Sequence, residues 1–409
     1  MVSVGLVCAV GDVTGAQPAP TPSKPAPQPQ RIMQPPPASP RPNVPAVVGA
    51  TEIAKITTPF GFIDDVVTTD DQRVAYVVAD AATKAELHVY SLVTKAELVV
   101  DIAAITLQPV EIALVGTRAL VIGKLDDGTY HGALVELEAK GKQPAGKVVY
   151  KVGAANGLTV ITRDGKRRIA AHRFTAAGGA TKHQTELLAL ETGKRVAPGR
   201  PLELDAEGKN AKLDFKINHW SDGMTRAHGI KAGVWDRKED QRSPDVEATF
   251  DLVTGKLATT KIEDLFEQRR RFQGLAQGND RLDFVHLSWD NVNVHVWHAG
   301  KPKTVELDQA LASYDPKSLQ GVVGADGTAW IALKTDPVNA AAVARKKADP
   351  EYVDLFKVAT DGKATRKARV LAHGVRVRFG VLAPDKVWLV ERNTGFERGG
   401  KNLTIYQVQ

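Results

Sequence analysis

The clearest pattern along the chain runs from Thr68 to Lys95, TTDDQRVAYVVADAATKAELHVYSLVTK. Two runs rich in β-branched and aromatic residues, Arg73–Ala79 and Glu86–Leu92, flank a polar connection and predict paired strands. The second run has counterparts at Gly132–Leu137, Glu186–Leu190, Glu247–Leu252, Asn293–Trp297, Tyr352–Val358 and Asn402–Val408. Most lead into a Gly-Lys turn: Gly141-Lys142, Gly193-Lys194, Gly255-Lys256, Gly300-Lys301 and Gly362-Lys363. Glycine there supplies the positive φ that a tight hairpin needs, and alternation along each strand puts an apolar face inward.

A polar turn stands ahead of the strand before each of these. The turns are Asp71-Gln72, Gly116-Thr117, Asp164-Gly165, Asp222-Gly223, Asn279-Asp280, Asp326-Gly327 and Pro384-Asp385. They recur every 45 to 59 residues, and the shorter spacings match one four-stranded propeller blade, with loop insertions in the longer units. The expected fold is therefore all-β: a seven-bladed β-propeller of four-stranded antiparallel blades. A lone blade would leave its apolar face and its edges open, whereas a ring covers both. Thr51–Thr58 reads as a strand without a hairpin partner, and the last unit reads as only three strands. The N-terminal strand is expected to complete the last blade.

Arg73-Val-Ala-Tyr-Val-Val after Asp70-Asp71, and Arg168-Ile-Ala-Ala-His-Arg after Asp164-Gly-Lys-Arg, resemble the core of WD40-like repeats of the TolB type. The following strand, Glu86-Leu-His-Val-Tyr-Ser-Leu, fits the same class. The resemblance spans Thr51–Gln409 in outline and is clearest in two or three units. The Gly-His mark of WD40 repeats is absent, and Trp235-Asp236 and Trp289-Asp290 do not stand at the strand end where that class carries Trp-Asp. The resemblance implies a bacterial propeller, a class that includes envelope scaffolds and the propeller halves of peptidases. It implies no particular activity.

The N-terminal region departs from this pattern. Met1–Gly11 is apolar and built of small residues, so residues 1–16 read as a signal-peptide-like segment without a charged start, with cleavage expected after Ala16. A lipoprotein anchor on Cys8 is disfavoured because Leu6 and Val7 occupy positions that call for small residues. Residues 17–48 form a proline-rich arm: 12 of the chain's 23 prolines fall between Gln17 and Val47. Proline lacks the donor N–H and fixes φ, so this segment is expected to be a disordered, extended spacer. Residues 49–409 are assigned to the propeller. The expected address is periplasmic or extracellular.

Composition is that of an ordinary globular protein, 43% hydrophobic and 25% charged over 409 residues. No stretch reaches the roughly 18 apolar residues of a membrane-spanning helix. The net charge of +7 allows an anionic partner without the dense basic stripe of a nucleic-acid module. With one cysteine, no intrachain disulfide can form. The sequence holds no P-loop, no dinucleotide fingerprint, no GxSxG and no EF-hand ladder, so no cofactor is expected. His295 and His298 are wrongly spaced for a strand pair of metal ligands, and no metal site is expected. An enzyme is disfavoured over a binding scaffold.

Candidate binding residues lie in the connections between second and third strands. These are Phe174–Gln184, Trp235–Asp245, Asp336–Glu351 with a short helical turn, and Glu391–Lys401. In a propeller these crowd one face, joined by blade-to-blade linkers such as Ile262–Phe272, which reads as a short helix. The face would present Trp235, Arg237, Arg242, Arg270, Arg271, Lys346, Arg392 and Phe396 to a protein partner, with arginine forks for its acidic groups and Trp235 or Phe396 as anchors. Two other readings of the same fold are an enzyme acting on envelope carbohydrate at the central channel and a carbohydrate-binding lectin.

Overall fold

A computed structural model describes residues 47–409 except 59–61, 71, 81, 139–145, 211, 222, 232, 244–245, 262–276, 281–282, 288–292, 299–300, 309–310, 325, 336–350, 373–375, 384 and 393–400. Strand is the main structure of the described residues; the helical turns among them are the short 3-10 turns Leu311–Ser313 and Pro316–Ser318. No helix among them is long and apolar enough to cross a membrane.

Among the described residues, seven sheets of four or five strands follow one another along the chain. The first is Phe62–Thr69, Arg73–Ala79, Ala85–Ser91 and Glu97–Asp101. The second is Pro109–Val115, Arg118–Lys124, Tyr130–Glu136 and Val148–Ala155. Gly157–Arg163, Lys166–Ala177, Ala180–Ala189 and Arg195–Ala197 make the third, with Leu202–Leu204 added beside Ala180–Ala189. Phe215–Ser221, Arg226–Lys231, Val246–Asp251 and Leu257–Lys261 make the fourth, with Lys209–Asn210 at its edge. The fifth is Gln277–Asp280, Asp283–Leu287, Val294–His298 and Lys301–Thr304. The sixth is Gln320–Val323, Ala329–Lys334, Glu351–Val358 and Ala364–Ala372, edged by Val47–Val48. The seventh is Arg376–Ala383, Lys386–Arg392, Lys401–Val408 and Ala50–Thr58. Each strand is antiparallel to its neighbours, and the strand that follows each polar turn pairs with the next, counterpart strand as the repeat predicts.

Alternation does more here than turn one face inward. Val74, Tyr76 and Val78 pack against Trp388, Val390, Leu403 and Ile405 of the seventh sheet. Their neighbours Ala75, Val77 and Ala79 pack against Ile112, Leu114 and Val121 of the second. Leu120 and Ile122 in turn meet Leu158, Ile169 and Leu188 of the third. The same splitting joins the fifth sheet to the sixth and the sixth to the seventh. A strand buried on both faces reads as a continuous apolar run, which is why Arg73–Ala79 shows so little polar alternation. Each side chain buried this way is worth about 1.5–3 kcal/mol, so stacking one sheet on the next is the main source of stability.

Polar ties reinforce the stacking. Arg73 Nη2 donates to the Gly116 carbonyl at 2.6 Å, and Arg167 Nη1 to that of Leu114 at 2.6 Å. Glu111 accepts from Thr159 Oγ1 at 2.7 Å and the Val160 N–H at 3.0 Å, linking the first strands of the second and third sheets. Burial pushes the Glu111 carboxyl above its ordinary pKa. Between the seventh sheet and the first, Lys386 Nζ reaches the Asp70 carbonyl at 3.4 Å, and Lys95 Nζ reaches that of Ile53 at 3.1 Å.

Candidate functional site

Two of the connections between second and third strands are built as projecting hairpins. In the third sheet, Phe174–Gln184 is a continuation of the two central strands, paired from Arg168↔Ala189 out to Ala177↔Ala180. The sequence reading made this segment a loop. It stays extended because Gly178 and Gly179, at φ +60 and +81, provide a two-residue turn of the kind that matches strand twist. The linker strand Leu202–Leu204 then pairs with Thr181–His183 and braces the projection.

One face of that projection carries a cluster of rings. Phe174 lies directly opposite His183 across the hairpin, and His172 opposite Thr185. Ring centroids are 5.8 Å apart for Phe174 and His183, 5.4 Å for His172 and His183, and 4.9 Å for His183 and Trp220. Trp220 comes from the first strand of the fourth sheet and also meets His172 at 5.3 Å. The next turn of that sheet closes the base. Gly223, at φ +61, lets it sit so near that a Cβ there would lie 2.6 Å from Thr159 Cγ2. Thr185 Oγ1 donates to the Met224 carbonyl at 2.6 Å, and it lies 2.8 Å from His172 Nδ1. His172 Nε2 is 3.2 Å from His183 Nδ1. Burial, with the neighbouring His183 adding to it, pushes the His172 pKa down to about 4. Burial lowers that of half-exposed His183 as well. Phe174, by contrast, is 47% exposed.

The fourth sheet raises the second hairpin. Trp235-Asp236 and Gln241-Arg242 pair as a two-stranded ribbon, Trp235↔Arg242 and Asp236↔Gln241. Its base is tied by Ser243, whose N–H donates to the Val234 carbonyl at 3.0 Å and whose Oγ accepts from the Val234 N–H at 2.9 Å. Trp235 is 55% exposed and Val234 74%. Arg237, Lys238, Glu239 and Asp240 surround them at the exposed tip.

Of the residues predicted from sequence to bind a partner, Trp235 and Arg237 are thus placed together on one ribbon. Arg242 pairs with Trp235 through its backbone, and Arg392 ends the strand Lys386–Arg392; their side chains lie outside the described residues. Arg270, Arg271, Lys346 and Phe396, the expected helical turns at 262–272 and 336–351, and residues 1–46 also lie outside the described residues. His172 and His183 were missed as a pair. The available signal was Gly178-Gly179 between two strand-like runs, which marks a two-residue hairpin and, by its register, places the two histidines on one face. Among the described residues no group of three His, Cys, Asp or Glu side chains is gathered as a metal site would require.

No known family profile and no curated protein matches the sequence. Similar solved structures include the β-propeller domain of the Trilobed protease from Pyrococcus furiosus, at 11% identity and TM-score 0.45 over 85% of this chain and 93% of that one. The AfRom2 CNH domain is similar at 10% identity and TM-score 0.44, covering 88% of this chain and 99% of that one. TolB from Acinetobacter baumannii is similar at 13% identity and TM-score 0.30, covering 75% and 65%. A β-propeller domain, a WD40 domain and TolB are thus among the structures to which this chain is similar.

Proposed function

We propose that the chain is a closed seven-bladed propeller, with Ala50–Thr58 completing the last blade, that binds a protein partner through its second-to-third-strand hairpins. The pairing of Ala50–Thr58 with Lys401–Val408 and the shared core between the seventh and first sheets support closure. The observation that carries the binding function is Trp235. A large apolar side chain left 55% in water gains free energy when covered, and the ribbon holds it ready at little ordering cost. Trp and Arg are both enriched among the few residues that dominate protein interfaces. The signal-like start and the proline-rich arm favour an exported protein working at the cell envelope, spaced from its attachment by the arm.

The test is capture from envelope extract with the full chain, beside a variant carrying Trp235→Ala and Arg237→Ser. A protein retained by the first and lost by the second, at unchanged thermal stability, supports the reading. Equal capture by both removes the ribbon as the binding site.

A further inference from the structure

We propose that His183 is the hydrogen-bond acceptor of a separate small-ligand subsite, shaped for an uncharged ring bearing hydroxyl groups, a pyranose sugar. Donor and acceptor counting sets its chemistry. The Met224 carbonyl can only accept, so the single hydroxyl hydrogen of Thr185 is committed to it. Thr185 Oγ1 must then accept from His172, which fixes that ring's hydrogen on Nδ1. Buried neutral His172 is left with a lone pair on Nε2. The atom facing it, Nδ1 of His183, must bring a hydrogen. The hydrogen of neutral His183 is therefore on Nδ1, and its Nε2 carries a lone pair that no hydrogen bond among the described residues uses.

The surroundings select the ligand. Lys182 and Glu203 pair with each other across the hairpin and point away from the face that holds His183. On its own face His183 lies beside His172, Phe174, Thr185 and the buried Leu202, with Trp220 of the fourth sheet against it and the Met224 carbonyl on Thr185. None of these is a fixed charge, so among the described residues a charged ligand finds no counter-ion. Phe174 stands on a projecting hairpin and offers an open shelf, whereas an aromatic anchor from a protein partner is held in an enclosing pocket. A pyranose satisfies both features: one hydroxyl donates to His183 Nε2 while the apolar C–H face lies on the Phe174 ring. The site is separate from the Trp235 ribbon and stands or falls independently of it.

The experiment uses the full chain with 15N-labelled histidine. Long-range 1H–15N correlations read the tautomers, and methyl glycosides of glucose, galactose and N-acetylglucosamine are titrated to about 50 mM, a range that reveals millimolar binding. Permethylated methyl glucoside, which has no donor, is the control. The expected result is Nδ1–H on both rings, with a His183 Nε2 resonance that moves for at least one glycoside and not for the control. Phe174→Ala, an exposed change that spares the core, should weaken that response about tenfold. An Nε2–H tautomer at His183, silence with every glycoside, or an equal response to the permethylated control overturns the proposal.

Discussion

Asp354 accepts Nε and Nη2 of Arg369, each at 2.5 Å, and neither residue reaches solvent appreciably. The pair joins the two outer strands of the sixth sheet, where Asp354 and Arg369 are cross-strand partners. Tyr314, in the linker ahead of that sheet, donates to Asp354 at 2.9 Å, and burial together with this carboxylate raises the Tyr314 pKa. Arg366 adds a second guanidinium at 3.2 Å and reaches out to Asp308 at 2.8 Å.

Removing one partner of such a network strands a buried charge. Asp354→Ala should lower stability by about 3–5 kcal/mol, because Arg369 stays buried without its carboxylate. Asp308→Ala, at the half-exposed end, should lose about 1 kcal/mol or less. Urea unfolding of the three proteins checks the ranking. Equal losses at the two sites would show that the buried pair has no special weight.

Strand Ala50–Thr58 should matter far more than its length implies. It pairs with Lys401–Val408 from Ala50↔Val408 to Thr58↔Lys401 and puts Ala54 into the core shared by the seventh and first sheets. A chain of residues 62–409 leaves the Lys401–Val408 edge unpaired and uncovers part of that core. It should unfold at a much lower temperature and associate, whereas residues 47–409 should melt with the full chain. Calorimetry and light scattering on both truncations decide this. Equal melting would mean that the pairing contributes little.

The repeat made the sheets legible because every blade must place apolar residues at alternate positions between turns of fixed chemistry. Gly193 and Gly255, at φ +66 and +74, sit at turns that the sequence marked as requiring positive φ. What stayed hidden was contact between units. Nothing in the string FTAAGGATKHQ states that Trp220 will close on His183, or the Met224 carbonyl on the neighbouring Thr185. Pairing within a hairpin is local, but packing of one sheet on another depends on relative height and tilt. The candidate binding face was partly legible for the same reason: Trp235, Arg237 and Arg242 belong to one hairpin and can be grouped from the sequence, whereas the other five candidates come from connections far apart in sequence.

The Trp235 ribbon should be separable from the fold. Ser243→Ala removes the side-chain oxygen that holds Val234 at the ribbon's base, where Ser243 Oγ both accepts from and donates to that residue. Global stability should stay within about 0.5 kcal/mol of the parent, since the ribbon is outside the core. Amide exchange at Val234 should quicken and partner capture should weaken. Capture unaffected by a loosened ribbon would argue against preorganisation of Trp235.

The histidine pair predicts how stability responds to acid. His172 holds a folded-state pKa of about 4 against 6.5 for the free side chain, because burial disfavours its charged form. Between these values the unfolded chain binds the proton and the folded chain does not, so stability must fall as pH drops from about 6.5 to about 4. Below about 4 both states are protonated and this contribution is flat. Its ceiling is about 3 kcal/mol, and lowered His183 acts in the same direction. Carboxylates act lower on the scale. Burial tends to raise Asp70, yet Arg73 and the Gln72 N–H hold it below its ordinary range. At Asp251 burial is likewise outweighed, by the Thr254 N–H and Arg163, so both lose their stabilising effect only in stronger acid. His172→Gln keeps a polar group near Thr185 but cannot titrate. Urea midpoints at about pH 7.5, 6, 5 and 4.5, which run from above the window down through most of it, should drop steeply for the parent and much less for the variant, whatever their difference at about pH 7.5. Parallel slopes would place the acid sensitivity elsewhere and show that His172 is not held neutral by its burial.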